Sequence, residues 1–348
     1  MPLYRSTSLL SLRSSTKMEG VKEPALNMTV KARFGTAGIP NGYKGRTSGV
    51  VAFLASMGLD AFEYEAVRGV RISDEESRAL GEQARAHGVK LSMHAPYYVN
   101  LGSSDPRIWE ESLTRVRQAL HALEVAGGDI VVVHPGYYGN SPKEAIANVI
   151  KGISALGGQG RVKLGLETMG RLSQIGSLEE VVDISTSFPS FVVPVIDWAH
   201  LEARSLGHMR NKEDVESVLD YLDRRLSNRE LSELHCHFSK MEFSSRGEVR
   251  HHNLDEKGFY PDFSVVAETF IERGHPSPTF IAETSNSAND ALTMKGIFSH
   301  LSRVTRTRSY LVALGLCQNT RQVDPASYSE IRTLRLALAG ANSRAPRL

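Results

Sequence analysis

The sequence predicts an α/β fold, a (β/α)8 TIM-type barrel in a single domain, on three observations. From residue 31 onward, eight short apolar or β-rich runs alternate with longer amphipathic stretches, the pattern of parallel strands joined by helices. No glycine-rich phosphate loop follows the first run, which disfavours the alternative of an open doubly wound sheet. Six consecutive runs end in His, Glu or Asp, and barrel enzymes build their sites at the C-terminal ends of their strands.

The candidate strands are residues 31–35, 61–65, 90–94, 129–134, 162–167, 193–197, 233–237 and 279–283. The first is the weakest, because Lys31-Ala32-Arg33-Phe34 offers little apolar material before Gly35. Apolar residues recur at helical spacing over 74–87, 108–126 and 211–226. Asp74-Glu75-Glu76 and Ser141-Pro142-Lys143-Glu144 supply helix-start chemistry, and Gly58, Gly88 and Gly127-Gly128 stand where helices should stop.

The barrel is assigned to residues 28–302. Residues 1–27 are Ser-rich, carry Arg5, Arg13 and Lys17, and have no acid before Glu19, so they read as a disordered extension. Two origins fit that stretch: an organelle transit peptide, or an over-long start with Met18 or Met28 as the true initiator. Residues 303–348 form an Arg-rich extension, with Arg303, Arg306, Arg308, Arg321, Arg332, Arg335, Arg344 and Arg347 against Asp324 and Glu330. Such a tail either tracks phosphates or is a solvated helical face.

Composition narrows the class. In 348 residues, 41% apolar and 23% charged, no apolar run reaches the ~20 residues that a membrane span needs. Cys236 and Cys317 are too few for a disulfide framework and suit a reducing, cytoplasmic setting as buried or incidental thiols. A net charge of +2 does not by itself advertise nucleic-acid binding.

The chemistry lies at the ends of the runs. They read Leu91-Ser92-Met93-His94, Val131-Val132-Val133-His134, Leu164-Gly165-Leu166-Glu167, Val195-Ile196-Asp197 (with His200 three residues on), Leu234-His235-Cys236-His237 and Phe280-Ile281-Ala282-Glu283. One such His is usually a satisfied core residue, but six positions converging on one rim point to cations. Buried unpaired carboxylates are costly, and a bound cation is the simplest remedy. A mixed imidazole and carboxylate set suits zinc, ahead of manganese or iron. More than four candidate ligands implies more than one ion, and Glu167 is placed to bridge two ions about 3.5–4 Å apart. His121, His208, His275 and His300 fall outside this pattern and read as surface or packing residues, and His87 suits a helix C-terminus.

Taken together and in order, the blocks resemble the endonuclease IV family of apurinic/apyrimidinic endonucleases, within the xylose-isomerase-like barrel superfamily. The resemblance runs from about residue 31 to residue 300 and rests on His94-Ala95-Pro96-Tyr97 through Asn100-Leu101-Gly102, His134-Pro135-Gly136, Glu167-Thr168, Asp197-Trp198-Ala199-His200, His235 to Ser239-Lys240, Arg250-His251-His252 and Glu283-Thr284. It implies a first zinc on His94, His134 and Glu167, a second on Glu167, Asp197, His235 and Glu283, and a third on His200 and His251. His237 competes with His235, which is preferred for its distance from Ser239-Lys240. The family places a third-site carboxylate two residues before His251; here Val249 stands there, with Glu248 or His252 as substitutes.

The resemblance further implies a monomer that cleaves damaged double-stranded DNA 5′ to an abasic site and leaves a 3′ hydroxyl. A hydroxide between two ions would attack phosphorus, with Glu167 and Lys240 as catalytic groups and the third ion or Lys240 at the departing oxygen. Tyr97 would enter the gap in the duplex or simply pack over the ligands; Arg68 would probe the minor groove or be a surface arginine. Tyr137-Tyr138 would line the DNA groove or cover the barrel mouth. The alternatives are a divalent-metal sugar isomerase or epimerase of the same superfamily, which needs fewer His ligands, and a non-catalytic nucleic-acid-binding or regulatory barrel.

Overall fold

Eight parallel strands close on themselves in chain order. They are β1 (Arg33–Ala37), β2 (Ala61–Glu65), β3 (Lys90–His94), β4 (Ile130–Val133), β5 (Lys163–Glu167), β6 (Val192–Asp197), β7 (His235–Phe238) and β8 (Thr279–Ala282). This computed structural model describes residues 30–158, 160–274 and 278–313. Backbone contacts group Thr29–Thr307 into one unit. The last described helix spans Ser287–Ala313. The extension of residues 1–27, His275, Cys317 and the arginines from Arg321 onward lie outside the described residues. No described helix is long and apolar enough to cross a membrane.

Strand alternation explains both faces of the barrel. Paired positions such as Gly35↔Ala61, Glu63↔Ser92, Ser92↔Ile130, Val132↔Gly165, Glu167↔Val195, Asp197↔His237 and His237↔Ile281 share one parity around the ring. Successive side chains of a strand point to opposite faces, so this set fills the interior. Its apolar members Ile130, Val132 and Val195 form a small cluster of their own. The other parity, including Phe34, Phe62, Leu91, Val131, Leu164, Ile196, Phe238 and Phe280, belongs to the large core under the helices. The β-branched content of β4 and β6 suits strands covered on both sides.

The helix signals act where expected. Ser73 caps α2 (Asp74–His87) and Ser141 caps α4 (Pro142–Leu156), each accepting from the backbone N–H three residues on. Gly88 and Gly127 end α2 and α3 (Pro106–Ala126) in left-handed conformation. Two strands differ from expectation by two residues: β1 lies two residues later than the apolar run suggested, and β7 begins at His235 rather than at residue 233. Two antiparallel pairs also decorate the C-terminal face: Gly136–Tyr137 with the distant Gln174–Ile175, and the hairpin of Lys240–Ser244 with Gly247–His252.

Candidate metal centre at the barrel mouth

Glu167, the last residue of β5, is buried at the centre of four imidazoles. Its Oε2 lies 3.0 Å from His134 Nε2 and 3.3 Å from His94 Nε2. Its Oε1 lies 2.9 Å from His237 Nδ1 and 3.4 Å from His200 Nδ1. Three groups of donor atoms form around this carboxylate, each within 4.8 Å: His94, His134 and Glu167; Glu167, Asp197, His237 and Glu283; and His200, Glu248 and His251. The arrangement follows from the fold, because β3, β5, β6 and β7 end at one rim and α6 (Trp198–Arg204) carries His200 one turn beyond Asp197. Asp197 Oδ1 accepts from the His200 backbone N–H (2.8 Å), so one oxygen caps the helix while the other, Oδ2, is buried without a hydrogen bond.

The electrostatics match a cation-binding site. Burial pushes the Asp197 carboxyl up to about 6. Burial also acts against Glu167, yet His237 and His134 hold it well below the usual carboxylate range. Burial opposes a charged Glu283, but the charge and hydrogen bond of His237, with His251, bring the group to about 2. Burial opposes a charged His94, but its bond to Glu167 lifts it to about 9. Three carboxylates within one 4.8 Å group, one with a buried oxygen that makes no hydrogen bond, fit divalent cations well.

The third group depends on a bulge. Met241 pairs with His251, Glu242 with Arg250 and Phe243 with Glu248, so Val249 is the extra residue. The bulge shifts parity, and Glu248 comes to the same face as His251. Glu248 Oε2 lies 3.6 Å from His200 Nε2, whereas Val249 is half exposed. Of the two substitutes, Glu248 is brought to the site; His252 pairs with Glu256 and Glu242 instead.

His94, His134, Glu167, Asp197, His200, His251 and Glu283 are thus brought together as the sequence suggested. His235 is not, and the expectation that it joins Asp197 and Glu283 is corrected: His237 stands in that group. Both histidines face the interior, but the sheet register sets His237 opposite Asp197 and His235 opposite Val195, one layer deeper. Lys240 lies outside these groups, its Nζ donating to the Glu256 carbonyl at 2.6 Å. Arg68 is exposed in the turn after β2. Tyr97 packs its ring 4.9 Å from that of His94 and 5.2 Å from that of His134, and its hydroxyl donates to Glu65. Tyr97, Tyr137, His134, His200, Glu248 and Glu283 line a mouth cavity of about 440 Å³.

Sequence reasoning passed over Glu63 and Glu65. Period-two alternation in Ala61-Phe62-Glu63-Tyr64-Glu65 was the available signal, since 61, 63 and 65 share the inward parity.

A family model described as xylose isomerase-like TIM barrel matches residues 51–303. The chain is 29% identical over 285 residues to an uncharacterized protein of Methanocaldococcus jannaschii, spanning 79% of this chain and 100% of that one. It is 29% identical over 226 residues to endonuclease 4 of Thermus thermophilus, 62% of this chain and 80% of the relative. A solved structure of endonuclease IV, also from Thermus thermophilus, shares 25% identity at a TM-score of 0.59, over 77% of this chain and 98% of that one. A D-tagatose 3-epimerase-like protein shares the fold at 19% identity and a TM-score of 0.60, over 80% and 99%.

Proposed function

The chain belongs to the xylose isomerase-like TIM barrel family, and on that premise we propose that it is a zinc-dependent DNA repair endonuclease cleaving 5′ to an abasic site to leave a 3′ hydroxyl. The observation that carries this reading is the third donor group, His200, Glu248 and His251, beside the two groups that share Glu167. The isomerase or epimerase alternative predicts fewer His ligands than these groups present. The similarity to endonuclease 4 of Thermus thermophilus supports the same reading.

His94, His134 and Glu167 would hold one ion, Glu167, Asp197, His237 and Glu283 a second, and His200, Glu248 and His251 a third. When bound, the ions activate water and neutralise charge developing on the phosphate oxygens. Glu167 presents one oxygen to His134 and the other to His237, so it would be the residue shared between two ions. Glu65 receives the Tyr97 hydroxyl and steadies an aromatic ring that is 41% exposed at the mouth. A planar ring in that position can fill the space a missing base leaves in a duplex.

The test is an oligonucleotide duplex bearing one abasic site, incubated with and without prior chelation. Cation-dependent nicking 5′ to the lesion is the expected result. No nicking, together with turnover of a ketose or aldose, would establish the isomerase reading instead.

A further inference from the structure

A second polar layer lies in the barrel interior beneath the candidate metal centre. Glu63 on β2, Ser92 on β3, and His235 and His237 on β7 are all buried there. Glu63 Oε2 accepts from Ser92 Oγ at 2.7 Å and pairs with His235 Nε2 at 2.9 Å. Its other oxygen, Oε1, lies 2.9 Å from His237 Nε2, an ion-pair distance rather than an aligned hydrogen bond. Neither of those two atoms has another hydrogen-bond partner. The far nitrogen of the same ring, Nδ1, lies 2.9 Å from Glu167 and 3.1 Å from Glu283.

An imidazole that binds a cation through one nitrogen keeps its proton on the other, and the acceptor given to that proton selects the tautomer and orients the ring. We propose that Glu63 is a positioning residue: Oε1 accepts the Nε2–H of His237, the proton staying on the ring, and so commits Nδ1 to the group formed by Glu167, Asp197 and Glu283. Ser92 and His235 hold Glu63 in turn, and this accounts for a second histidine two residues before the first on the same strand. Glu63, His235 and His237 also form a donor group within 4.8 Å, in which Ser92 and His235 already hydrogen-bond Glu63 Oε2. The inference rests on the cation reading of the rim given above.

Chelated protein reloaded with zinc or cobalt(II) provides the test, with affinity read by competition against a chromophoric chelator. Glu63→Gln should weaken binding by ~10–100-fold and alter the visible cobalt spectrum, with far-ultraviolet circular dichroism unchanged. In a His237→Ala background the same substitution should add nothing. Wild-type affinity and an unaltered cobalt spectrum in Glu63→Gln would overturn the proposal, as would an equal further loss in the His237→Ala background. If Glu63→Gln does not fold, Glu63→Asp keeps the charge and shortens the reach; weakened affinity supports the proposal and wild-type affinity overturns it. A wild-type chain that binds no cation would defeat the rim reading itself.

Discussion

Glu248 and His251 face the same side of their strand, three residues apart, because Val249 is the extra residue of a bulge between them. In regular pairing an odd spacing would place them on opposite faces. The bulge thus delivers a carboxylate to His200 from a position where unbroken alternation would turn it away. Glu248→Ala should therefore lower bound metal by about one equivalent per chain, measured by atomic spectroscopy, while the two groups around Glu167 stay loaded. Adding Val249→Asp should not restore it, since residue 249 faces outward; recovery would show that the bulge is not a set feature.

Glu167→Gln should abolish cation-dependent nicking of an abasic duplex without unfolding the barrel. The same change should remove most of the rise in melting temperature that added zinc gives to chelated wild-type protein, because that rise reports binding to the native state alone. A full thermal response in Glu167→Gln would exclude Glu167 as the shared ligand.

The metal-free protein should lose stability as pH rises from about 6.5 toward 9. His94 is lifted to about 9 in the folded chain, chiefly by Glu167 against the effect of burial. A folded value above the unfolded one means stabilisation that is complete below ~6.5 and lost as pH passes the folded value. His200 and His237 are raised as well, by Asp197 and Glu283 respectively against burial, and act in the same direction. Thermal melts in chelator across this window check the sign; a flat or rising melting temperature would contradict it.

Tyr97→Ala should reduce cleavage of an abasic duplex while leaving metal content unchanged. The ring contacts His94 and His134 by packing, and its hydroxyl bonds Glu65, which stands outside the donor groups. Loss of metal on substitution would instead assign Tyr97 to holding the ligands in place.

Gly81→Ala should destabilise the barrel although it sits inside α2. An alanine there would gain ~1 kcal/mol of helix propensity. Its Cβ, however, would lie 1.8 Å from the Ala126 carbonyl oxygen at the end of α3, so the two helices must part. Overpacking of this kind costs ~1–3 kcal/mol or more, enough to outweigh the gain. Denaturant unfolding at neutral pH gives the comparison.

Much of this architecture is legible in the chain because it rests on local, periodic signals. Apolar runs of strand length, serine caps and terminating glycines each act within a few residues, and they place the eight strands to within about two positions. The same periodicity marks His94, His134, Glu167, Asp197 and Glu283 as strand-end groups. Glu63 was within reach of the same alternation, but a carboxylate two residues inside a strand carries no strand-end signal.

What the sequence by itself determined is the parity of each side chain and the rim it approaches, since both follow from a two-residue repeat along one strand. Depth within the barrel is different. His235 and His237 share parity, and only the pairing of β7 with β6 sets His237 level with Asp197. Likewise, only the register slip opposite Glu242 and Phe243 turns Glu248 toward His200. Register belongs to pairs of strands brought together by closure of the whole sheet, so the tertiary structure alone decided which histidine and which glutamate complete the candidate centre.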